Sequence, residues 1–227
     1  MKFTELVKHS VYRHGVIGCM RRGLNRLRRN MDRLRYLRER HIWYRLDLTC
    51  QRPSVELLAG FELVQGSLDD LLLVEQLGGT GVFEAERRLS MGVNADLWIV
   101  RNGQDAIFSC WIFRQRAPVL ASRSGWLTLP ADTVCMEDAI TAPAYRGKGI
   151  AAAAWTRIGD LLVRQGVTAI IAKVEECNTA SCRAVEKSGF RAIAIMDMES
   201  IWLKLHVLVR SKRPDEVSTF LIEQLNC

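Results

Sequence analysis

Hydrophobic and polar residues follow a helical period near the start of the chain. Over 16–40, apolar residues recur at alternating steps of three and four, which predicts one apolar stripe along a helix. The stripe consists of Ile17, Met20, Leu24, Leu27, Met31 and Leu34. Nine arginines occupy the other faces, namely Arg21, Arg22, Arg26, Arg28, Arg29, Arg33, Arg35, Arg38 and Arg40. The pattern therefore predicts a basic amphipathic helix.

From residue 41 onwards the pattern alternates between strands and helices. Runs rich in branched and aromatic residues predict strands over 41–48, 97–100, 106–113, 131–141, 167–174, 191–196 and 200–209. The turn Asn102-Gly103 joins the second and third of these strands into a hairpin. Helical spacing predicts helices over 67–78, 81–91, 178–189 and 214–226, and one from a glycine-rich loop to residue 165. The chain is therefore expected to belong to the α/β class, of the α+β type.

Composition narrows the class of protein. The chain has 227 residues, of which 48% are hydrophobic and 25% charged, as in a globular domain with one core. It contains no apolar run near the ~18 residues that a membrane span needs, and its start lacks the pattern of a secretory leader. Seven cysteines at irregular spacing, without a Cys-x-x-Cys pair, predict reduced thiols and no metal site. These features predict a cytoplasmic protein.

The net charge of +7 is concentrated at one end. Residues 1–45 hold 13 Lys and Arg against three acids, whereas the remaining 182 hold 19 basic and 22 acidic side chains. This shift in composition predicts an extension over 1–40 and a main domain over 41–227. The basic helix over 16–38 is consistent with three roles. It could pack on the main domain, form a homodimer, or bind the anionic inner surface of a membrane. Nucleic acid is the less favoured partner, because the main domain is not basic.

The loop Arg146-Gly147-Lys148-Gly149 is the strongest chemical signal in the sequence. It stands between a predicted strand and a helix that begins with four alanines, Ala151 to Ala154. A helix start directs backbone N–H groups and a partial positive charge outwards, and glycine lets an anion approach the backbone closely. The loop therefore predicts a phosphate site.

Two other phosphate-binding motifs fit poorly. A P-loop requires Gly-x4-Gly-Lys-Ser/Thr, which is absent from the sequence. A dinucleotide-binding turn is closer, since Gly147, Gly149 and Ala152 match its relaxed spacing. That fold turns directly after its strand, however, whereas six residues separate the strand from Gly147 here. The chain after the loop is also too short for a doubly wound domain.

The motifs resemble those of the GCN5-related N-acetyltransferase (GNAT) superfamily. Its pyrophosphate loop reads Gln/Arg-x-x-Gly-x-Gly/Ala, which Arg146 to Ala151 match, and "NTASCRAVEKSGF" at 178–190 is similar to its second cofactor segment. The resemblance covers about 60–208, and the order of elements agrees. It implies a central mixed, mostly antiparallel sheet that splays between its fourth and fifth core strands, with helices on both faces.

The resemblance also implies where acetyl-CoA, or another acyl-CoA, binds. The pantetheine arm would lie between the two splayed strands, the loop amides would take the pyrophosphate, and the short helix would contact the arm or the thiol end. The implied residues are Ala139, Ile140, Thr141, Arg146, Gly147, Lys148, Gly149, Ile150, Ala151, Asn178 and Ser181. The alternative role of Asn178 is that of a helix N-cap alone, and the alternative role of Ser181 is that of a structural hydroxyl.

The implied reaction is direct transfer of the acyl group to a primary amine within a ternary complex. Glu137 and Asp138 are candidates for accepting the amine proton; as neighbours on a strand they should point to opposite faces, and Glu137 is favoured. Many family members carry a tyrosine before "EKxGF" that protonates the thiolate, but this chain has Val185 there. The proton for the thiolate would then come from another group or from a water, or the thiolate would leave without a general acid. Two alternatives stay open: a non-catalytic acyl-CoA sensor or adaptor, and a membrane-peripheral transferase with a longer acyl donor.

Overall fold

The computed structural model describes residues 36–90, 94–201 and 204–226 and contains ten strands within these ranges. They are β1 Tyr36–Asp47, β2 Phe61–Gln65, β3 Ala95–Asn102, β4 Asp105–Phe113, β5 Arg116–Pro118, β6 Trp126–Thr128, β7 Thr133–Thr141, β8 Ala169–Glu175, β9 Arg191–Ile201 and β10 Lys204–Ser211. Eight of these strands form one sheet in the order β10-β9-β1-β8-β7-β4-β3-β2, and β5 and β6 form a separate hairpin. Strand β8 is antiparallel to β1 but parallel to β7, and the ladders from β7 through β4 and β3 to β2 are antiparallel.

Five α-helices accompany the strands in the same ranges. They are α1 Leu71–Gln76, α2 Val82–Ser90, α3 Ile150–Val163, α4 Thr179–Lys187 and α5 Glu216–Leu225. The mixed class and the mostly antiparallel sheet confirm the predicted fold class. Helix α5 begins two residues later than predicted, because Asp215 serves as its N-cap and accepts the N–H of Ser218 at 2.6 Å. Strand β2 and the β5–β6 hairpin were not predicted.

An extensive apolar cluster lies where helices α3 and α4 pack on the sheet. Alternate residues of β1 point into it, because successive side chains on a strand face opposite sides. Its members include Ile42, Tyr44, Leu46, Phe108, Ile112, Met136, Ile150, Trp155, Ile158, Ile170, Val185 and Phe190. Each large apolar side chain that is fully buried contributes about 1.5–3 kcal/mol. This cluster therefore fixes helix α3, and with it the glycine-rich loop, against strands β7 and β8.

Strand β1 enters the sheet between β8 and β9, although it comes first in the chain. It begins at Tyr36, so the last five residues of the predicted amphipathic helix, 36–40, are extended instead. Pairing with β8 from His41 to Asp47 holds this strand, and such tertiary contacts outweigh local helical spacing. The rest of the predicted helix, 16–35, lies outside the described residues. The partners expected for 16–38 and the division at residue 40 therefore stay predictions.

Two compact units divide the described residues. One comprises 40–197 and 207–226 and contains the apolar cluster above. The other comprises 36–39, 198–201 and 204–206, which are end segments of β1, β9 and β10. The candidate site lies wholly within the first unit.

Candidate active site

Strands β7 and β8 separate halfway along their length. Their parallel ladder pairs Thr133 to Met136 with Ala169 to Ala172 and then ends, although β7 continues to Thr141 and β8 to Glu175. A cleft of about 790 Å³ opens between the separated halves. Strands four and five, counted from the β2 edge, are therefore splayed, as the family resemblance implied.

The glycine-rich loop forms the mouth of this cleft. Gly147 and Gly149 have φ values of +75° and +77°, in the left-handed region where side chains with a Cβ are strained. A Cβ on Gly147 would meet no atom within 4 Å, so the backbone there faces open space. Gly149 is the N-cap of α3 and has no side chain that could cap the helix, so the first helical amides remain available to a ligand. The free backbone N–H groups and the dipole of α3 together favour the binding of a diphosphate.

Side chains of the loop leave its backbone uncovered. Arg146 folds back, and its Nε donates a hydrogen bond to the carbonyl of Thr141 at 3.1 Å. Lys148 lies over the ring of Tyr145, with Nζ 5.0 Å from the ring centroid, and Tyr145 in turn packs edge-on against Phe61. Lys148 alone among the predicted cofactor residues is not part of the cleft lining. Its ammonium is placed beside the loop rather than within the cleft.

The other predicted residues line the cleft together. These are Glu137, Asp138, Ala139, Ile140, Thr141, Arg146, Gly147, Gly149, Ile150, Ala151, Asn178 and Ser181. Asn178 is also the N-cap of α4, where its side-chain oxygen accepts the N–H of Ser181 at 3.2 Å. The capping role is thus present, while its side chain still borders the cleft.

A β-bulge interrupts β7 where the cleft begins. Strand β4 pairs Ser109 with Ile140 and Trp111 with Glu137, so that Cys110 alone opposes two residues, Asp138 and Ala139. Asp138 has φ +52°, a left-handed conformation that accommodates the extra residue. The prediction that Glu137 and Asp138 point to opposite faces of the sheet is therefore wrong, because the bulge interrupts the regular alternation of side chains along β7.

Both carboxylates lie on the face of the sheet that carries Trp111. Glu137 is directly opposite Trp111 in the ladder, so their side chains share a face. The carboxylate of Asp138 accepts a hydrogen bond from Thr80 Oγ1 at 3.1 Å, and Thr80 Oγ1 also accepts from Trp111 Nε1 at 2.9 Å. Two acids thus stand side by side at the inner end of the cleft.

Asp138 is held by a network that reaches from α2 to the sheet. Arg88 donates to its Oδ2 at 2.6 Å and places its guanidinium 5.2 Å from the ring centroids of Trp111 and Phe113. Glu84, one turn earlier on α2, accepts a further bond from Arg88 at 3.2 Å. Oδ2 of Asp138 thus accepts from both Arg88 and Thr80, which ties this carboxylate to α2 and to the residues before it.

Glu137 faces Lys173 of β8 across the point where the strands separate. Lys173 Nζ lies 3.7 Å from Glu137 Oε1, and the side chains are only 18% and 14% exposed. Burial raises the pKa of the Glu137 carboxyl, the Lys173 ammonium opposes this shift, and the neighbouring Asp138 carboxylate adds to it. A carboxylate with a raised pKa is a better proton acceptor than an ordinary one.

No described phenol takes the place of the tyrosine that Val185 replaces. Val185 is buried in α4 and borders the cleft. Tyr44 is fully buried nearby, but its hydroxyl donates to Glu186 at 3.1 Å and it is not part of the cleft lining. Tyr145 borders the cleft at its mouth, beside the loop. A general acid is therefore not assigned.

Residues 36–90, 94–201 and 204–226 hold neither a candidate metal site nor a helix that could span a membrane. Within these ranges, no group of three or more His, Cys, Asp or Glu side chains is arranged to hold a metal ion. Helices long and apolar enough to cross a membrane were not found there either.

Comparison with known families identifies the central part of the chain. Residues 90–190, which include the bulge, the glycine-rich loop and α4, match the Acetyltransferase (GNAT) family. Over these residues the chain is similar to a GNAT domain. A search of curated proteins found no match to the chain.

Solved structures share the fold of this chain. A GCN5-related N-acetyltransferase from Sphaerobacter thermophilus aligns with a TM-score of 0.52 and 15% identity, over 82% of this chain and 56% of that one. A GNAT-family acetyltransferase from Colwellia psychrerythraea gives 0.51 and 13%, over 72% and 56%. A Drosophila protein gives 0.53 and 12%, over 80% and 58%. At these identities the likeness concerns the fold, and the chain spans little more than half of each structure's length.

Several cleft residues were missed by the sequence analysis. Lys173 lies within a predicted strand, where nothing in the local pattern distinguishes it from a solvated lysine. Arg183 and Lys187, one turn apart on α4, border the cleft and add positive charge. Their i, i+4 spacing on a helix already implied by the resemblance was a usable signal.

Proposed function

We propose that the protein is an acyl-CoA-dependent N-acetyltransferase that transfers the acetyl group directly to a primary amine. One observation carries the proposal: a single cleft has the glycine-rich loop at its mouth and a largely buried carboxylate, Glu137, at its inner end. The match of residues 90–190 to the GNAT family supports the same donor.

The donor fits the residues that line the cleft. The amides of 147–151 would hold the diphosphate, and the exposed backbone of Ala139 to Thr141, which no longer pairs with β8, would bind the pantetheine arm as an added strand would. Arg183 and Lys187 would attract the phosphates. The acyl group then reaches the bulge at Asp138, where the β4–β7 ladder is disrupted and a backbone N–H can polarise a carbonyl.

Glu137 is the proposed proton acceptor. An amine attacks only as the neutral base, so its ammonium form must first lose a proton. The ionised Glu137 carboxylate can take that proton, directly or through one water. Asp138 would instead hold the bulge in place through Arg88 and Thr80. The departing thiolate needs no assigned acid, because an ordinary thiol pKa of about 8.5 lets it leave near neutral pH.

A second function is favoured by one observation. Val185 replaces the phenol that would protonate the leaving thiolate, and a protein without that step could bind acyl-CoA as a signal. Such a sensor would keep the cleft and the loop but would not release free thiol in the presence of amines.

Incubation with acetyl-CoA and a library of amines, with free thiol as the readout, separates the two functions. The library should include small amines, amino sugars, peptide N-termini and lysine peptides, and the donors should include longer acyl-CoAs. Thiol release that depends on an amine supports the transferase. Tight binding of acetyl-CoA in calorimetry without amine-dependent release would support the sensor and contradict the transferase.

Substitution of Gly149 tests the location of the donor. Gly149→Glu should weaken CoA binding at least about 100-fold, because it places a side chain and a negative charge where the diphosphate would approach. Gly166→Glu is the matched control: Gly166 also has a left-handed φ of +80° and open surroundings, but it lies outside the cleft lining. Calorimetry with CoA should show near-normal affinity for the control. Equal affinities for both variants would overturn the assignment of the loop.

A further inference from the structure

The Glu137–Lys173 ion pair stands where the two strands part. The last paired residues of the parallel ladder are Met136 and Ala172, and the next residue on each strand is Glu137 and Lys173. Where the backbone ladder stops, these side chains continue the contact across the gap with an Nζ–Oε1 distance of 3.7 Å. Both line the cleft, so the pair lies at its inner end.

Lys173 is fixed from its other side by strand β1. Trp43 is its direct partner in the β1–β8 ladder, is fully buried, and has its ring centroid 5.8 Å from Lys173 Nζ. The ammonium is therefore placed by an aromatic face as well as by the carboxylate. Because the ion pair is more than four-fifths buried on both sides, solvent screens it less than a surface pair.

The charges that face Glu137 come from three elements. On β7 itself, Asp138 repels the carboxylate, and Cys135 Sγ lies 3.7 Å from its Oε1. Helix α2 contributes Arg88, and β8 contributes Lys173, the strongest of the attracting charges. Burial favours the protonated acid, so Lys173 is the principal group that keeps Glu137 charged.

We propose that Lys173 is a positioning residue, which keeps the Glu137 carboxylate ionised and directed to the inner end of the cleft. The inference rests on the proposed function, since it assigns Lys173 to the proton acceptor of that reaction. It predicts that loss of the ammonium protonates Glu137 closer to neutral pH, while a guanidinium at the same position preserves the charge.

The test is a carbon-13 titration of the glutamate carboxyl groups in the full-length protein without ligand. Glu137→Gln identifies the signal of Glu137 by its disappearance. In Lys173→Met the pKa of Glu137 should rise by about one unit or more, since an oppositely charged neighbour is removed, and Lys173→Arg should restore it. An unchanged pKa in Lys173→Met would overturn the inference, because a lysine that only joins the strands would not alter the titration.

Two controls keep the result interpretable. The affinity for CoA should stay within about twofold of wild type in all three variants, which shows that the cleft is intact. Should Lys173→Met fail to fold, Lys173→Gln, which keeps a polar end group, replaces it under the same criteria.

Turnover then connects the titration to catalysis. With an amine found in the library, activity requires the carboxylate and is lost as the pH falls through the pKa of Glu137, so the acid limb should move upwards in Lys173→Met by the same amount as the NMR pKa. An acid limb that does not move would overturn the inference. A moved NMR pKa without thiol release from any amine would support the ion pair and count against the proposed function instead.

Discussion

The paired and separated halves of β7 and β8 differ in what occupies the space beside each strand. In the paired half, Thr133 to Met136 and Ala169 to Ala172 are all buried, and each backbone contacts the other. In the separated half, 137–141 and 173–175 are half-buried or exposed and border the cleft. The same two strands thus serve stability at one end and ligand binding at the other.

The bulge at Asp138 marks the boundary between these halves. One extra residue bends the strand and breaks the alternation of side chains, which brings two carboxylates to one face. Polar groups gather on the cleft side of this boundary, and apolar residues fill the other. Substitutions on the two sides should therefore separate effects on activity from effects on folding.

The largest expected effect is on turnover in the separated half. Glu137→Gln should lower the rate about 100- to 10,000-fold, because it removes the proposed proton acceptor while keeping the shape of the side chain. Asp138→Asn is the matched neighbour, since asparagine also tolerates a left-handed φ, and its rate should fall only a few-fold. Thiol release with an identified amine and CoA affinity by calorimetry are the measurements. A greater loss in Asp138→Asn would mean that Asp138, and not Glu137, is the proton acceptor.

Stability should respond most in the paired half. Ile171→Ala should reduce the free energy of unfolding by about 2–5 kcal/mol, because Ile171 is fully buried and its truncation leaves a cavity. Ile140→Ala, the same change in the separated half, should cost less than about 1 kcal/mol, since Ile140 is only partly buried. Urea denaturation followed by circular dichroism measures both. Similar losses of unfolding free energy in the two variants would mean that the separated half contributes as much to stability as the paired half.

Elements with a clear period or a capping residue could be predicted from the sequence. The Asn102-Gly103 hairpin, the helix from the glycine-rich loop and the buried strand β8 all occur at the expected places. The start of β1 could not be predicted, because arginines at 38 and 40 suit a helix as well as a strand, and only pairing within the sheet decides. Strand β2 has only five residues, which is too short for a clear hydrophobic pattern, and its pairing with β3 holds it in the sheet.

Within the site, contiguous motifs were predictable and contacts between distant segments were not. The loop at 146–151 is local, and its residue types alone indicate an anion site. Lys173 meets Glu137 only because the two strands align in register, 36 positions apart. The bulge that turns Asp138 towards Glu137 depends on the register with β4, and a single inserted residue leaves no mark in the sequence.

The smallest expected effect concerns the cations at the cleft mouth. Arg183→Gln should raise the Kd for CoA about two- to fivefold at low salt, because an exposed cation near a phosphate contributes at most about 1 kcal/mol. Arg157→Gln on α3 is the control: Arg157 is also exposed but lies outside the cleft lining, so the substitution should leave the Kd unchanged. Calorimetry at about 0.05 M and 0.5 M salt should show the difference shrinking as ions screen the charge. If both variants weaken binding equally, the cations act through net charge, and the cleft mouth does not select the phosphates by position.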